Sequence, residues 1–240
     1  MRIKQTGKTG LLLLCLLPAT AEINAAPLQV TTAEHRALPA SSAYQSRNTV
    51  ATPANLSRME QEVIAEINLV RKNPSRYAQL YLVPLRSCYD GNVVRFPGSS
   101  AIMTNEGVSA LDECISDLQR AQPAPPLSAR SELALAARDH VRDQGRNGSI
   151  GHDGSDGSST FDRINRYGRW MYSAGENISY GYHDARTIVA ALLIDDGMPS
   201  RGHRKNLLNS SFKLVGVNIG PHRVYGDMCV MDFASAYTSK

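Results

Sequence analysis

The sequence has no stretch that could cross a bilayer as a stable helix: one apolar run near its start is too short and no other segment qualifies, which excludes a polytopic helical membrane protein. It has no basic stripe with interleaved aromatics, so the usual nucleic-acid face is excluded. A G-x-S-x-G elbow, an H-E-x-x-H helix and a P-loop are all missing, and with them three common catalytic or phosphate-binding devices. The run "DGSDGSS" lacks the D-x-D-x-D-G spacing and the distal glutamate of a calcium loop. Charge of one sign is not in large excess either. The formal balance is +4, and Arg2, Lys4 and Lys8 belong to the leader described next, leaving about +1 for the rest. Cysteine is scarce: four residues, of which Cys15 lies in the leader, so Cys88, Cys114 and Cys229 remain. An odd number leaves one thiol over whatever pairs.

The first residues, "MRIKQTGKTGLLLLCLLPATAEINAAP", have a positive start, an apolar run over residues 10–17 and the small-x-small site Ala19-Thr20-Ala21. This is the pattern of a secretory signal peptide over residues 1–21. Leu14 stands before Cys15, where a lipoprotein signal wants a small residue, which argues against a lipid anchor. Residues 22–54 are polar, without a sustained period, and read as a disordered lead-in to a domain over residues 55–240.

Order begins at "LSRMEQEVIAEINLVRKNP". Ser57 and Glu60 have capping-box spacing, and Leu56, Met59, Val63, Ile67 and Val70 form one helical stripe. Asn73-Pro74 ends this helix and can start a short second one. After irregular turns, helices are predicted over about residues 108–120 and from residue 131 to Gly145 or Gly148, with Leu133, Ala136, Ala137, His140 and Val141 as the buried face. Residues 149–182 are dense in Gly, Ser and Asp and read as a long loop. "ARTIVAALLIDD" reads as a helix. Val215, Val217 and Ile219, then Cys229, Met231 and Phe233, alternate as two strands of a terminal hairpin. Helices precede strands without a βαβ rhythm, so the class is α+β.

The candidate site residues are His152, Glu176, Asp195, Asp196 and His203, each at a loop mouth or helix end beside glycine. Two imidazoles with one or two carboxylates suit a divalent cation, zinc above all. The same set suits a water-activating site with Glu176 as general base, with or without metal. His140 reads as a core histidine, His183 and His222 as solvated, and Arg204 and Lys205 as a charged surface. Cys88 and Cys114 flank one segment and form the candidate disulfide, while the face Cys114 shares with Leu111, Ile115 and Leu118 equally fits a buried thiol.

Four motifs in order, "GHDGSDGSSTFDRINRYG", "SAGENISYG", "RGHRKNLLNSSFKLVGVNIG" and "YGDMCVMDFA", resemble the bacterial branch of the CAP superfamily of cysteine-rich secretory, antigen 5 and pathogenesis-related-one proteins, whose domain is also called SCP. The resemblance implies an α-β-α sandwich with a central cleft lined by two histidines and two acids. These match His152, Glu176 and His203. The second acid falls on Asp195 or its neighbour Asp196, an aspartate where the family has glutamate. Residues 83–121 are longer than in minimal members and form an insert. The implied function is a secreted (extracellular or periplasmic) binding module for a divalent metal and a lipid, glycan or protein ligand, monomeric and without nucleic acid. Two alternatives stand beside it: a metal-dependent peptidase or nuclease using the same cleft, and a polar network that only fixes the cleft while the insert carries function.

Overall fold

The structure, a computed structural model, describes residues 56–240 except Pro97 and Ser99. The signal peptide expected over residues 1–21 and the disordered lead-in over 22–54 lie outside the described residues.

Helix α1 (Arg58–Lys72) starts on the capping box read from the sequence. Ser57 Oγ accepts from Glu60 N at 3.3 Å, and Glu60 accepts from Ser57 N at 2.7 Å. Glu60 does more than cap. It is buried, and its other oxygen accepts from Asn218 Nδ2 (2.8 Å) and Ile219 N (3.0 Å), which ties the helix start to the sheet. Asn73 then caps α2 (Pro74–Tyr77). A π turn and a 3-10 turn lead into a small antiparallel sheet, β1 (Tyr89–Asp90), β2 (Val93–Val94) and β3 (Ile102–Met103), within the insert. Helix α3 (Val108–Arg120) closes the insert.

The main sheet has the order β4-β6-β7-β5, from β4 (Ser128–Ala129), β5 (Gly168–Tyr180), β6 (Leu214–His222) and β7 (Gly226–Ser239). Between them come α4 (Ser131–Asn147), α5 (Thr160–Tyr167), α6 (Ala185–Ile194) and α7 (Gly202–Leu208). Strand periodicity sorts the two faces. Val215, Val217, Cys229, Met231 and Phe233 join the core made with α1, α3, α6 and α7. On the other face Met228, Val230, Ala234 and Ile178 meet α4 and α5 through Leu133, Ala137, Val141 and Ile164. Gly216 explains how α4 comes so close: a Cβ there would lie 2.0 Å from Ala134 N. The class is α+β, with helices on both faces of one sheet. Among the described residues no helix is long and apolar enough to cross a membrane.

Three expectations are corrected. Residues 149–182 are not one long loop, because they contain α5 and the thirteen-residue β5. Low strand propensity is overridden by a ladder to β7 that runs from Gly168↔Ser239 to Tyr180↔Met228 with one irregularity. His222 is buried rather than solvated; its Nε2 donates to Ser149 O at 2.9 Å, and its Nδ1 accepts from Val224 N and Tyr225 N. Cys88, Cys114 and Cys229 are free thiols, so no Cys88–Cys114 bridge is present. Cys114 is a fully buried core residue of α3.

Candidate functional site

His152 lies in the loop after α4, and its aim is set one residue earlier. Gly151 O accepts from His140 Nε2 (2.9 Å) and Gln144 Nε2 (2.7 Å), while Gly151 N donates to Tyr180 Oη (3.1 Å). Gly151 takes φ 103°, a conformation that side chains other than glycine rarely adopt. The His152 Nδ1–H donates to Glu176 Oε1 at 2.8 Å. That carboxylate rises from β5, is buried, and is fully engaged. Thr160 Oγ1 donates to Oε1 (2.7 Å) and Arg163 Nη2 to Oε2 (2.8 Å), both from α5. Burial pushes its pKa up, but the His152 hydrogen bond and the positive charge of Arg163 prevail and hold it below the ordinary value.

The second histidine has a parallel arrangement. Asp195 ends α6 at φ 57°, a left-handed position that aspartate tolerates better than most residues. Its Oδ1 accepts from the His203 Nδ1–H at 2.6 Å, and its Oδ2 accepts from the backbone N–H of His203 (2.9 Å) and of Arg204 (3.3 Å). The acid therefore fixes both the ring and the start of α7. With each Nδ1–H spent on a carboxylate, a neutral imidazole keeps its lone pair on Nε2. The two rings lie 6.5 Å apart between centroids, tilted by 35°.

Asp196 faces elsewhere. It accepts from Asn105 N (2.7 Å), Asn105 Nδ2 (3.2 Å) and Glu106 N (2.8 Å), and so clamps the insert at the entrance to α3. Arg201 strengthens the clamp by bonding Glu106, Glu113 and Asp195 O, and holds both glutamates down to about 2. Arg204, expected on a charged surface, is buried. It donates to Leu193 O, Ile194 O, Glu113 and Asp117. Removing the Asp196 carboxylate (Asp196→Ala) should destabilise the chain by about 1–2 kcal/mol, the scale of charge-assisted hydrogen bonds lost at a partly exposed site. Hydrogen exchange at Asn105 and Glu106 should accelerate while Glu176 stays protected; unchanged exchange at Asn105 would remove the clamp from this account.

Beside His203 the insert and the main domain line an open pocket of about 220 Å³. Its walls are mainly apolar: Val94, Phe96 and Ile102 from the insert, Ile178 from β5, Leu192 from α6, and Tyr182. Asp195, Asp196 and His203 stand at its polar side.

A divalent cation does not fit this donor set as built. Among the described residues no group of three or more His, Cys, Asp and Glu is placed to hold a metal ion. Glu176 and Asp195 are consumed by their histidines and by N–H and O–H donors, which leaves at most two imidazole nitrogens. Zinc–nitrogen bonds of about 2.1 Å put two ring centroids roughly 5 Å apart around a shared tetrahedral ion, closer than the 6.5 Å observed.

Sequence reasoning missed Thr160 and Arg163, which hold Glu176, and the buried Asp232 opposite it. The spacing of Ser159 and Asp162, which form a capping box at α5, was the signal available.

A sheet with helices on both faces, carrying two carboxylate-anchored histidines whose rings lie 6.5 Å apart, defines the chain as an α+β domain. Residues 65–233 match the CAP family, described as the cysteine-rich secretory protein family, and the chain belongs to it. It is 32% identical over 114 residues to the uncharacterized protein YkwD of Bacillus subtilis (strain 168), a match covering 46% of this chain and 42% of that protein. The chain thus spans under half the length of that curated relative. Among solved structures it resembles an outer surface protein from Borrelia burgdorferi, at 22% identity, 49% of this chain, 80% of that one and TM-score 0.40. It also resembles an extracellular protein containing a SCP domain from Bacillus anthracis str. Ames, at 30% identity, 46% of this chain, 34% of that one and TM-score 0.38.

Proposed function

We propose that this chain is an exported ligand-binding module that takes small amphiphiles, the apolar part in the pocket beneath the insert and the polar head against the imidazole edges. One observation carries this reading: the open side of His203, anchored from behind by Asp195, adjoins a mainly apolar pocket. Ligand sites of this kind combine apolar walls with a few fixed polar groups. The leader-like start of the sequence and the secretory description of the family support export. A hydrolase in which Glu176 is the general base has less support, because that carboxylate is buried and already accepts three hydrogen bonds.

The test is nuclear magnetic resonance titration of the full chain with octanoate, octanol and octylammonium, followed at the His152 and His203 ring protons. At least one of the three should shift the His203 signals saturably, and His203→Ala should weaken it about tenfold, the scale of one polar contact. Silence toward all three would sink the reading. A parallel calorimetric titration with zinc should give no tight one-to-one site. Tight zinc binding abolished by His203→Ala would return a metal to the cleft. The architectural alternative predicts instead that His152→Ala lowers the melting temperature and changes no ligand affinity.

A further inference from the structure

Across the ladder from Glu176 stands a carboxyl group that the site as described does not use. Asp232 lies on β7 directly across the ladder from Glu176 and is completely buried. Neither of its oxygens finds a hydrogen-bond donor among the described residues. Directly opposite residues of an antiparallel pair have their Cβ atoms about 4.5–5.5 Å apart on one face of the sheet, so the register brings the two carboxyl groups side by side. Two buried carboxylates side by side, one of them without a single donor, would carry both a desolvation and a like-charge penalty. Glu176 has three hydrogen bonds, one of them from a guanidinium, to stabilise a charge; Asp232 accepts none.

We propose that Asp232 is a neutral carboxylic acid that donates its O–H to Glu176, so that Asp232 helps to hold the carboxylate that in turn holds His152. Asp232 is then a positioning residue of the cleft, a role that rests on the ligand-binding reading above; its protonation state does not. The groups acting on it come from each packed element. Glu176 on β5 and burial push its pKa well up, and Arg163 on α5 opposes them. His140 on α4 belongs to the same cluster, and its burial holds it below the usual histidine value, so it adds no positive charge at neutral pH. Tyr237 interacts with it from its own strand, and β6 contributes only Gly216.

The sign of the pH effect follows. An acid whose folded pKa is raised opposes folding once the unfolded chain ionises, so Asp232 lowers stability progressively as pH rises above about 4. Asp232→Asn keeps a donor for Glu176 and removes the titration. Relative to wild type, its unfolding equilibrium constant should match near pH 4 and fall about tenfold per pH unit above it, until the folded acid itself ionises. Infrared spectra of the full chain at pH 7 should contain a protonated-carboxyl carbonyl band that Asp232→Asn removes. Asp232→Leu, which has no donor, should move the His152 Nδ1–H proton resonance, while Asp232→Asn leaves it in place. A wild-type spectrum without that band, or a pH-independent stability difference for Asp232→Asn, would show an ionised Asp232 and overturn the proposal. An unmoved His152 resonance in Asp232→Leu would overturn the positioning role. The infrared and Asp232→Asn measurements stand even where Asp232→Leu does not fold, and all of them are independent of whether amphiphiles bind.

Discussion

Arg71→Met should lower the stability of the chain by about 3–5 kcal/mol, the scale for stripping a buried charged hub of its hydrogen bonds. Arg71 sits near the end of α1 with no exposed surface. Its guanidinium donates to Pro125 O (2.8 Å), Leu207 O (2.8 Å), Asn209 O (3.0 Å) and Phe212 O (3.1 Å). Burial brings its pKa down to about 10, so the group is charged at neutral pH. Leu207 and Asn209 are the C-terminal end of α7, where free carbonyls favour a cation. Methionine fills similar space but takes the guanidinium from all four carbonyls, of which Asn209 O keeps the Phe212 N–H at 3.2 Å. Lysine restores charge and up to three donors from a single point, so Arg71→Lys should recover only part of the loss. Urea denaturation checks both variants. A loss under about 1 kcal/mol for Arg71→Met would mean that those carbonyls are readily re-satisfied. Because α7 begins at Gly202, beside His203, the same variant should also blunt the response of His203 to ligand.

The elements that were legible in the sequence share one property: their signal is local. The cap of α1, the stripe of α4 and the alternation of β6 and β7 each depend on residues a few positions apart. β5 was illegible because its reasons are distant. Its Gly175 faces Asn206 and Phe212, where a Cβ would come within 3.3 Å of each, and its polar residues are satisfied by α5 and α7. A stretch selected to fit such neighbours carries no alternation of its own. The same logic covers Arg204 and Arg201. A charged residue near a helix start reads as surface, and only the fold places the carbonyls of α6 and the acids of α3 around it.

The candidate residues show the same division. His152, Glu176 and His203 stood out by residue type and glycine context, and the motif resemblance arranged them in order. Adjacent Asp195 and Asp196 could not be told apart by sequence, since the left-handed turn at Asp195 sends the two carboxylates to different partners, one to His203 and one to the insert. Asp232 looked like one residue of a strand. Its importance comes from the register that sets it opposite Glu176.

That register makes Arg163 the second variant with a large expected effect. Arg163 and Glu176 are both almost wholly buried, at 2% side-chain exposure each, and meet at 2.8 Å. Removing one member of a buried pair strands the other charge, so Arg163→Met should be destabilising by about 3–5 kcal/mol at pH 7. The pH dependence identifies the cause. In the wild-type chain the Glu176 pKa is lowered, so its contribution is present above the unfolded value near 4.3 and is lost as pH falls through the folded value. Without the guanidinium, burial dominates and raises the folded pKa above the unfolded one. The penalty is then largest at neutral pH and shrinks as the solution is acidified toward about pH 4. Arg163→Met/Glu176→Gln removes both charges and should recover much of the loss at pH 7, since a neutral amide carries no comparable desolvation penalty. Denaturation of the three proteins between pH 4 and pH 8 separates the explanations. A loss for Arg163→Met that is constant with pH and unrelieved by Glu176→Gln would assign it to packing and to the Ser158 O contact of Arg163 at 3.1 Å rather than to a stranded carboxylate.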